Sequence, residues 1–292
     1  MQQALQLPVP VIELVPHRPP MLWLRELVDF SEDSGRAVGT VPADHILADG
    51  DGNLHPSASI ELMAQAAAAH EGYRRRMKGQ AIGCGFLVGV RDFTIRRSPR
   101  CGEDVFVEAE RRWDVGPMHV THGAVLTSNE LLAEGELTFF VDDELIPPQL
   151  RRAAVTEAPA AQWSSGMSYP PNAVAALAEQ WHPPALDAEH ARFLFGASFP
   201  AFRGHFPGFP VLPAVVEVLA ATEVARRRMP GGALASVTRA KFSQAILPGT
   251  LVTVECTEGE AQGAAEWRVR LLVDGAVAAS ILLGFASSKP GS

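Results

Sequence analysis

Two side chains in this sequence have the type and the setting for proton transfer. His205 follows Gly204 and precedes Phe206, Pro207 and Gly208, so the backbone turns tightly there and proline holds it. Pro210 and Pro213 flank the bend, and Pro213 suits the start of a helix, where a missing N–H costs nothing. Ala214 and Val215 would then turn unpaired amides toward the bend, ready for a carbonyl oxygen beside the positive helix end. An imidazole titrating near ~6.5 takes and returns a proton close to neutrality, which makes His205 a base candidate. The plainer reading is a packed histidine in a structural turn.

Glu61 lies in Ser57-Ala58-Ser59-Ile60-Glu61-Leu62-Met63-Ala64-Gln65, at the start of an alanine-rich helix. Ser57 or Ser59 could cap that helix, and Glu61 could be an ordinary first-turn carboxylate favoured by the dipole. Its neighbours are apolar, however, and Gln65 shares its face one turn on. A carboxylate in a buried helix needs a partner or a task. Desolvation would raise its pKa and suit it to protonate a departing hydroxyl.

Other candidates weigh less. His45 precedes a loop rich in glycine and aspartate, but the alternating ligands and closing glutamate of a calcium loop are missing. His55 stands just before Pro56 and the helix, as a site or capping residue. His17, in Pro16-His17-Arg18-Pro19-Pro20, is expected to hold the N-terminal segment down. No metal-ligand spacing, dinucleotide fingerprint or P-loop occurs, so neither metal nor redox cofactor is expected. Two triplets, Arg74, Arg75 and Arg76, then Arg226, Arg227 and Arg228, complement the C-terminal ends of two helices. They could equally form docking patches for an acidic or phosphorylated partner.

The elements that must carry these residues repeat. A Pro- and Gly-rich approach leads to an Ala/Leu/Val-rich helix, a run Arg-Arg-Arg-Met, a glycine break and alternating strands, and then the same order recurs. Strands are expected at 86–95, 105–110, 122–128 and 134–141, and again at 234–242, 251–256, 265–273 and 277–284. Such an order predicts an α+β chain of two halves, each an antiparallel sheet wrapped around a long central helix. Alanines on nearly every helix face predict helices buried all round. A proline-punctuated connector separates the halves, giving domains at 1–143 and 187–292 and a linker at 144–186 with a short helix at 172–181.

The chain has 292 residues, 47% hydrophobic and 20% charged, enough for two real cores. A net charge of −8 leaves no footprint for nucleic acid. No apolar run is long enough to span a membrane, and the N-terminus lacks the pattern of a signal peptide. Three cysteines without a framework fit a reducing, cytoplasmic setting.

Gly204-His205-Phe206-Pro207-Gly208-Phe209-Pro210-Val211-Leu212-Pro213 resembles the active-site segment of the hotdog-fold 3-hydroxyacyl-acyl-carrier-protein dehydratases. Pro16-His17-Arg18-Pro19-Pro20-Met21-Leu22 resembles their N-terminal signature, and Glu61-Leu62-Met63-Ala64-Gln65 their helix motif. The first half looks most like the small dehydratase-like partner in aryl polyene pathways, the second like its histidine-bearing companion.

The resemblance implies a histidine from one hotdog and an acid from its partner, fourteen residues after the histidine in a complete copy. In the second half that position is Leu219, with Glu217 two positions away and roughly 200° around the helix. In the first half Glu61 is present, but Leu47 stands where the histidine belongs, and His45 would need a longer loop. These defects are complementary. They predict a double hotdog with one composite site, His205 facing Glu61, and a second position (His45, His55, Glu217, Leu219) dead or weak. Gly208, Ala214, Val215 and Gln65 are the expected substrate- and oxyanion-binding groups.

The implied reaction is dehydration of a 3-hydroxyacyl thioester to the trans-2-enoyl thioester. The substrate's own phosphopantetheine would deliver it, on acyl carrier protein or coenzyme A, and Phe residues near 199–209 would line an acyl tunnel. The halves would form an intrachain pseudo-dimer, with further self-association open. Thioester hydrolysis with Glu61 as base, or a non-catalytic scaffold that binds acyl carriers, are the rival functions.

Overall fold

Apart from Phe106, apolar and polar residues alternate along 104–110, and that two-residue period places alternate side chains on opposite faces of a strand. In β5 (Asp104–Val115), Val105, Val107 and Ala109 are buried while Asp104, Glu108 and Glu110 face solvent. The same logic builds the rest of the sheet. The computed structural model describes residues 6–141, 181–182, 190–229, 231–259 and 265–286.

Before the first helix come β1 (Val9–Pro10), β2 (Glu26–Phe30) and β3 (Ser34–Thr40); after it come β4 (Phe86–Ile95), β5, β6 (Met118–Leu126) and β7 (Leu131–Phe140). The second half contributes β8 (Trp181–His182), β9 (His190–Leu194), β10 (Ala233–Phe242), β11 (Leu251–Gly259), β12 (Ala265–Val273) and β13 (Ala276–Ala286). These described strands form one antiparallel sheet in the order β1-β2-β3-β5-β6-β7-β4-β10-β13-β12-β11-β9-β8. The halves meet where β4 pairs with β10, Thr94 opposite Ser236 and Val90 opposite Ala240. The result is a double hotdog.

Each half curls around one helix, α1 (Ala58–Met77) and α2 (Ala214–Arg228). Both are buried around most of their circumference, as the alanine content predicts. Ala58, Ala66 and Ala69 in α1 and Ala220, Ala221 and Ala225 in α2 are buried, so backbone and sheet approach closely. Among the described residues no helix is long and apolar enough to cross a membrane.

The expected strands all occur, several of them longer. β5 runs to Val115 because it forms an exposed hairpin with β6 beyond the core, turning at Gly116. The helix expected at 172–181 lies outside the described residues except for Trp181, which pairs as strand with Phe193.

Candidate active site

Gly204 adopts φ +81, a conformation open to glycine but strained for other residues. Its carbonyl accepts the amide of Arg18 at 2.7 Å. A side chain on Gly204 would run into the Arg18 carbonyl, so the first half presses directly on the loop that carries His205. The Arg18 guanidinium in turn binds the carbonyls of Val15, Pro16 and His17, which fixes the segment that bears His17.

His205 Nδ1 lies 2.9 Å from the carbonyl oxygen of Val211. A carbonyl only accepts, so Nδ1 carries the proton and Nε2 keeps its lone pair. Burial pushes the imidazole down to about 4, leaving it neutral at ordinary pH. The Val211 bond opposes that shift without cancelling it.

Glu61 is buried on α1, and desolvation raises its carboxyl to about 7. Gln65 Nε2 donates to Glu61 Oε1 at 2.8 Å, a weaker, opposing influence. The same Gln65 donates to the Met21 carbonyl and accepts the Trp23 amide, tying α1 to the N-terminal segment. Gln65 is thus a brace for Glu61.

These elements bring together three side chains. His17, Glu61 and His205 each offer one nitrogen or oxygen, all within 4.8 Å of one another. His17 Nε2 stands 3.5 Å from Glu61 Oε1, and its ring packs on His205 with centroids 5.4 Å apart. Burial and the neighbouring His205 hold His17 well below the usual histidine range. With Glu61 raised to about 7 beside two neutral imidazoles, the set is equipped to exchange protons near neutrality.

The cluster opens on a cavity of about 440 Å³, lined also by Ala64, Ala68, Phe86, Phe139, Phe206 and Phe209. From Glu61 to Glu71 it follows ten residues of α1, about 15 Å at 1.5 Å per residue. Phe199 and Phe202 pack in the core instead of lining it. Ala214 lines the cavity wall, and neither its amide nor that of Val215 has a hydrogen-bond partner among the described residues.

The remaining candidates are placed differently. Gly208 is exposed, away from the cavity wall. The Val215 carbonyl accepts the Ser57 hydroxyl. His45 packs on Trp23 and accepts the Leu47 amide, and His55 pairs with Ser57; burial pushes both imidazoles down to about 3. Leu219 is fully buried in the core. Glu217, by contrast, lines the His205 cavity.

Most of the arginines serve local contacts: Arg74 with Glu71, Arg75 with the Ala81 carbonyl, Arg76 with Glu13, Arg226 with Glu223, Arg228 over Trp267. Arg227 is exposed on the last turn of α2. Partial desolvation lowers its pKa, and the charge of Glu223 opposes that shift.

His17, expected to hold the N-terminal segment down, lies in that anchored segment and also stands beside Glu61 and His205. The sequence marked the segment by its prolines and its family likeness, and neither says what His17 packs against.

Residues 9–147 match the family model ApeP-like (ApeP dehydratase), and residues 186–280 match ApeI-like (ApeI dehydratase). The chain is 38% identical over 117 residues to the 3-hydroxyacyl-[acyl-carrier-protein] dehydratase FabZ of Thermus thermophilus, covering 34% of this chain and 80% of that protein. It is 23% identical to a chain of the dehydratase heterocomplex ApeI:P from Xenorhabdus doucetiae, over 47% of this chain and 93% of that one, with a TM-score of 0.44. An acyl-ACP thioesterase from Bacteroides thetaiotaomicron shares the fold across 88% of this chain and 100% of its own, with TM-score 0.55 and 11% identity.

Proposed function

The chain belongs to the hotdog 3-hydroxyacyl-acyl-carrier-protein dehydratase family, and on that premise we propose that it works through one composite site, with His205 as base and Glu61 as acid. The observation that carries this reading is the convergence of two groups from different halves, within 4.8 Å, at the wall of one apolar cavity. Residues 1–143 and 187–292 would be the two domains, with 144–186 as connector.

In the reaction, His205 Nε2 takes a proton from the α-carbon while the Ala214 amide polarises the thioester carbonyl. The C–H electron pair becomes the new C=C bond, and the β-hydroxyl leaves as water with a proton from Glu61. His205 is then protonated and Glu61 ionised. Passage of a proton from one to the other, with His17 3.5 Å from Glu61, restores the resting pair. The acyl chain would lie along α1 past Ala64 and Ala68. Phosphopantetheine arrives on the substrate, so no separate cofactor is required. Arg74, Arg75, Arg76, Arg226, Arg227 and Arg228 are the proposed docking surface for acyl carrier protein in the cytoplasm.

The test is product analysis with a 3-hydroxyacyl-acyl carrier protein. Enoyl thioester without free thiol supports dehydration, and free thiol counts against it. Loss of turnover in both His205→Ala and Glu61→Gln, with the fold intact, supports the composite site. If Glu61→Gln stays active, the assignment fails.

A further inference from the structure

Glu217 is an acid that the mechanism above leaves unused. It is 3% exposed, its Oε2 is buried, and its carboxyl makes no hydrogen bond among the described residues. It nevertheless lines the same cavity as His205 and Glu61. An unpaired buried carboxyl costs stability, so its presence on the wall of this cavity calls for a ligand.

Its place on α2 indicates which part of a ligand it meets. Pro213 is the N-cap and Ala214 the first helical residue, so Glu217 is the fourth. Helical side chains lean back toward the N-terminus, and residues three apart share a face. The carboxyl is therefore directed to the first turn, where the Ala214 and Val215 amides also lack partners among the described residues. An ionised carboxylate there could accept the Ala214 amide, three residues back on the same face. Glu217 makes no such bond. Desolvation holds it well above the usual carboxylate range, in the protonated form. A protonated carboxyl has an O–H to donate, and the Ala214 N–H is the second donor beside it.

We propose that Glu217 is a catalytic residue of the same reaction, donating its carboxyl O–H, together with the Ala214 amide, to the thioester oxygen as it becomes an enolate. This rests on the dehydratase reading of the His205 site. A carboxylic acid kept neutral in an apolar pocket can serve as an oxyanion donor without transferring its proton. Charge moves from the α-carbon to the carbonyl oxygen as His205 takes the α-proton. Glu217 stays protonated throughout, and the electron pair returns to form the double bond when water leaves.

The experiment uses the full-length protein with Glu217→Leu and Glu217→Gln, a 3-hydroxyacyl-acyl carrier protein, and a saturated acyl thioester in deuterated buffer. Leucine removes the donor, and kcat is expected to fall about a hundredfold with little change in KM. Glutamine keeps an N–H donor and should stay within about tenfold of wild type. Exchange of the α-hydrogens of the saturated thioester needs enolate stabilisation but no leaving group. It should be lost in Glu217→Leu and His205→Ala yet persist in Glu61→Gln. The Tm of Glu217→Leu should rise, because an unpaired buried carboxyl is replaced by an apolar group, whereas a structural role would lower it. Wild-type kcat and exchange in a folded Glu217→Leu protein overturn the proposal while leaving the dehydratase reading intact. Equal loss in Glu217→Gln and Glu217→Leu overturns it too, since a transferable proton would then be needed. Wild-type protein without dehydration or exchange overturns both.

Discussion

Raising the pH from 6 to 8 is expected to lower kcat/KM about tenfold, because Glu61 can donate only while protonated. Burial sets its carboxyl at about 7. The protonated fraction then falls from about nine-tenths at pH 6 to about one-tenth at pH 8, roughly one decade. His205, pushed down to about 4, stays neutral over the whole interval and imposes no limit there. The profile should therefore be flat between about 4 and 7 and fall with unit slope above. The assay is kcat/KM for a 3-hydroxyacyl-acyl carrier protein, followed by the ultraviolet absorbance of the conjugated enoyl thioester. Glu61→Gln should lose the alkaline limb as well as about 10²- to 10⁴-fold in rate. A level profile from pH 6 to 8 would refute the assignment of Glu61 as the acid. So would activity that rises through pH 6.5, the behaviour of an ordinary solvated histidine.

His205→Ala should lower kcat by about 10²- to 10⁴-fold while circular dichroism stays native, since its ring is replaced at the cavity wall and not inside a strand. Gly204→Ala should cost more than about 2 kcal/mol in urea unfolding and lower kcat as well, because both the positive φ and the Arg18 contact oppose a side chain. Gln65→Leu strands the Trp23 amide and the Met21 carbonyl, a loss of about 2–4 kcal/mol by the same measurement. It also removes the bond that lowers the Glu61 pKa, so the alkaline limb should move to higher pH.

Stability itself should peak near pH 6.5. His17, His45, His55 and His205 are all pushed down, so the unfolded chain takes up their protons first as pH falls below about 6.5. Glu61 and Glu217 are pushed up, so their contribution is present below about 4.3 and is lost as pH rises toward 7 and beyond. These four histidines, with His70 and His119 pushed the same way, outweigh the two carboxyls on the acid side, and thermal melts from pH 5 to 8 would check the maximum.

Element order was legible because period-2 and all-round apolar patterns are local signals, as along β5 and α1. His205 and Glu61 were each legible as a candidate from the turn or helix start that carries it, and as a pair only through the resemblance to the dehydratases. The place of His17 beside them was not, since it depends on packing between distant parts of the chain. The placing of Glu217 was not legible from spacing either. Counting fourteen residues from His205 points to Leu219, but the cavity takes the side that bears Ala214 and Glu217, while Leu219 goes to the core. Spacing in sequence does not say which side of a helix faces the substrate.

The pairing of β4 with β10 has a consequence for how halves find each other. Two free-standing hotdogs would associate at a rate set by concentration, and each could also join a copy of itself. A pair of second halves would hold two copies of His205 and no Glu61, and a pair of first halves two copies of Glu61 and no His205. Within one chain the encounter is unimolecular, so dilution does not separate the cognate halves. If the composite site holds, the seam from Gly89–Lys241 to Thr94–Ser236 serves as a rule of mating, under which each half can lack what the other carries.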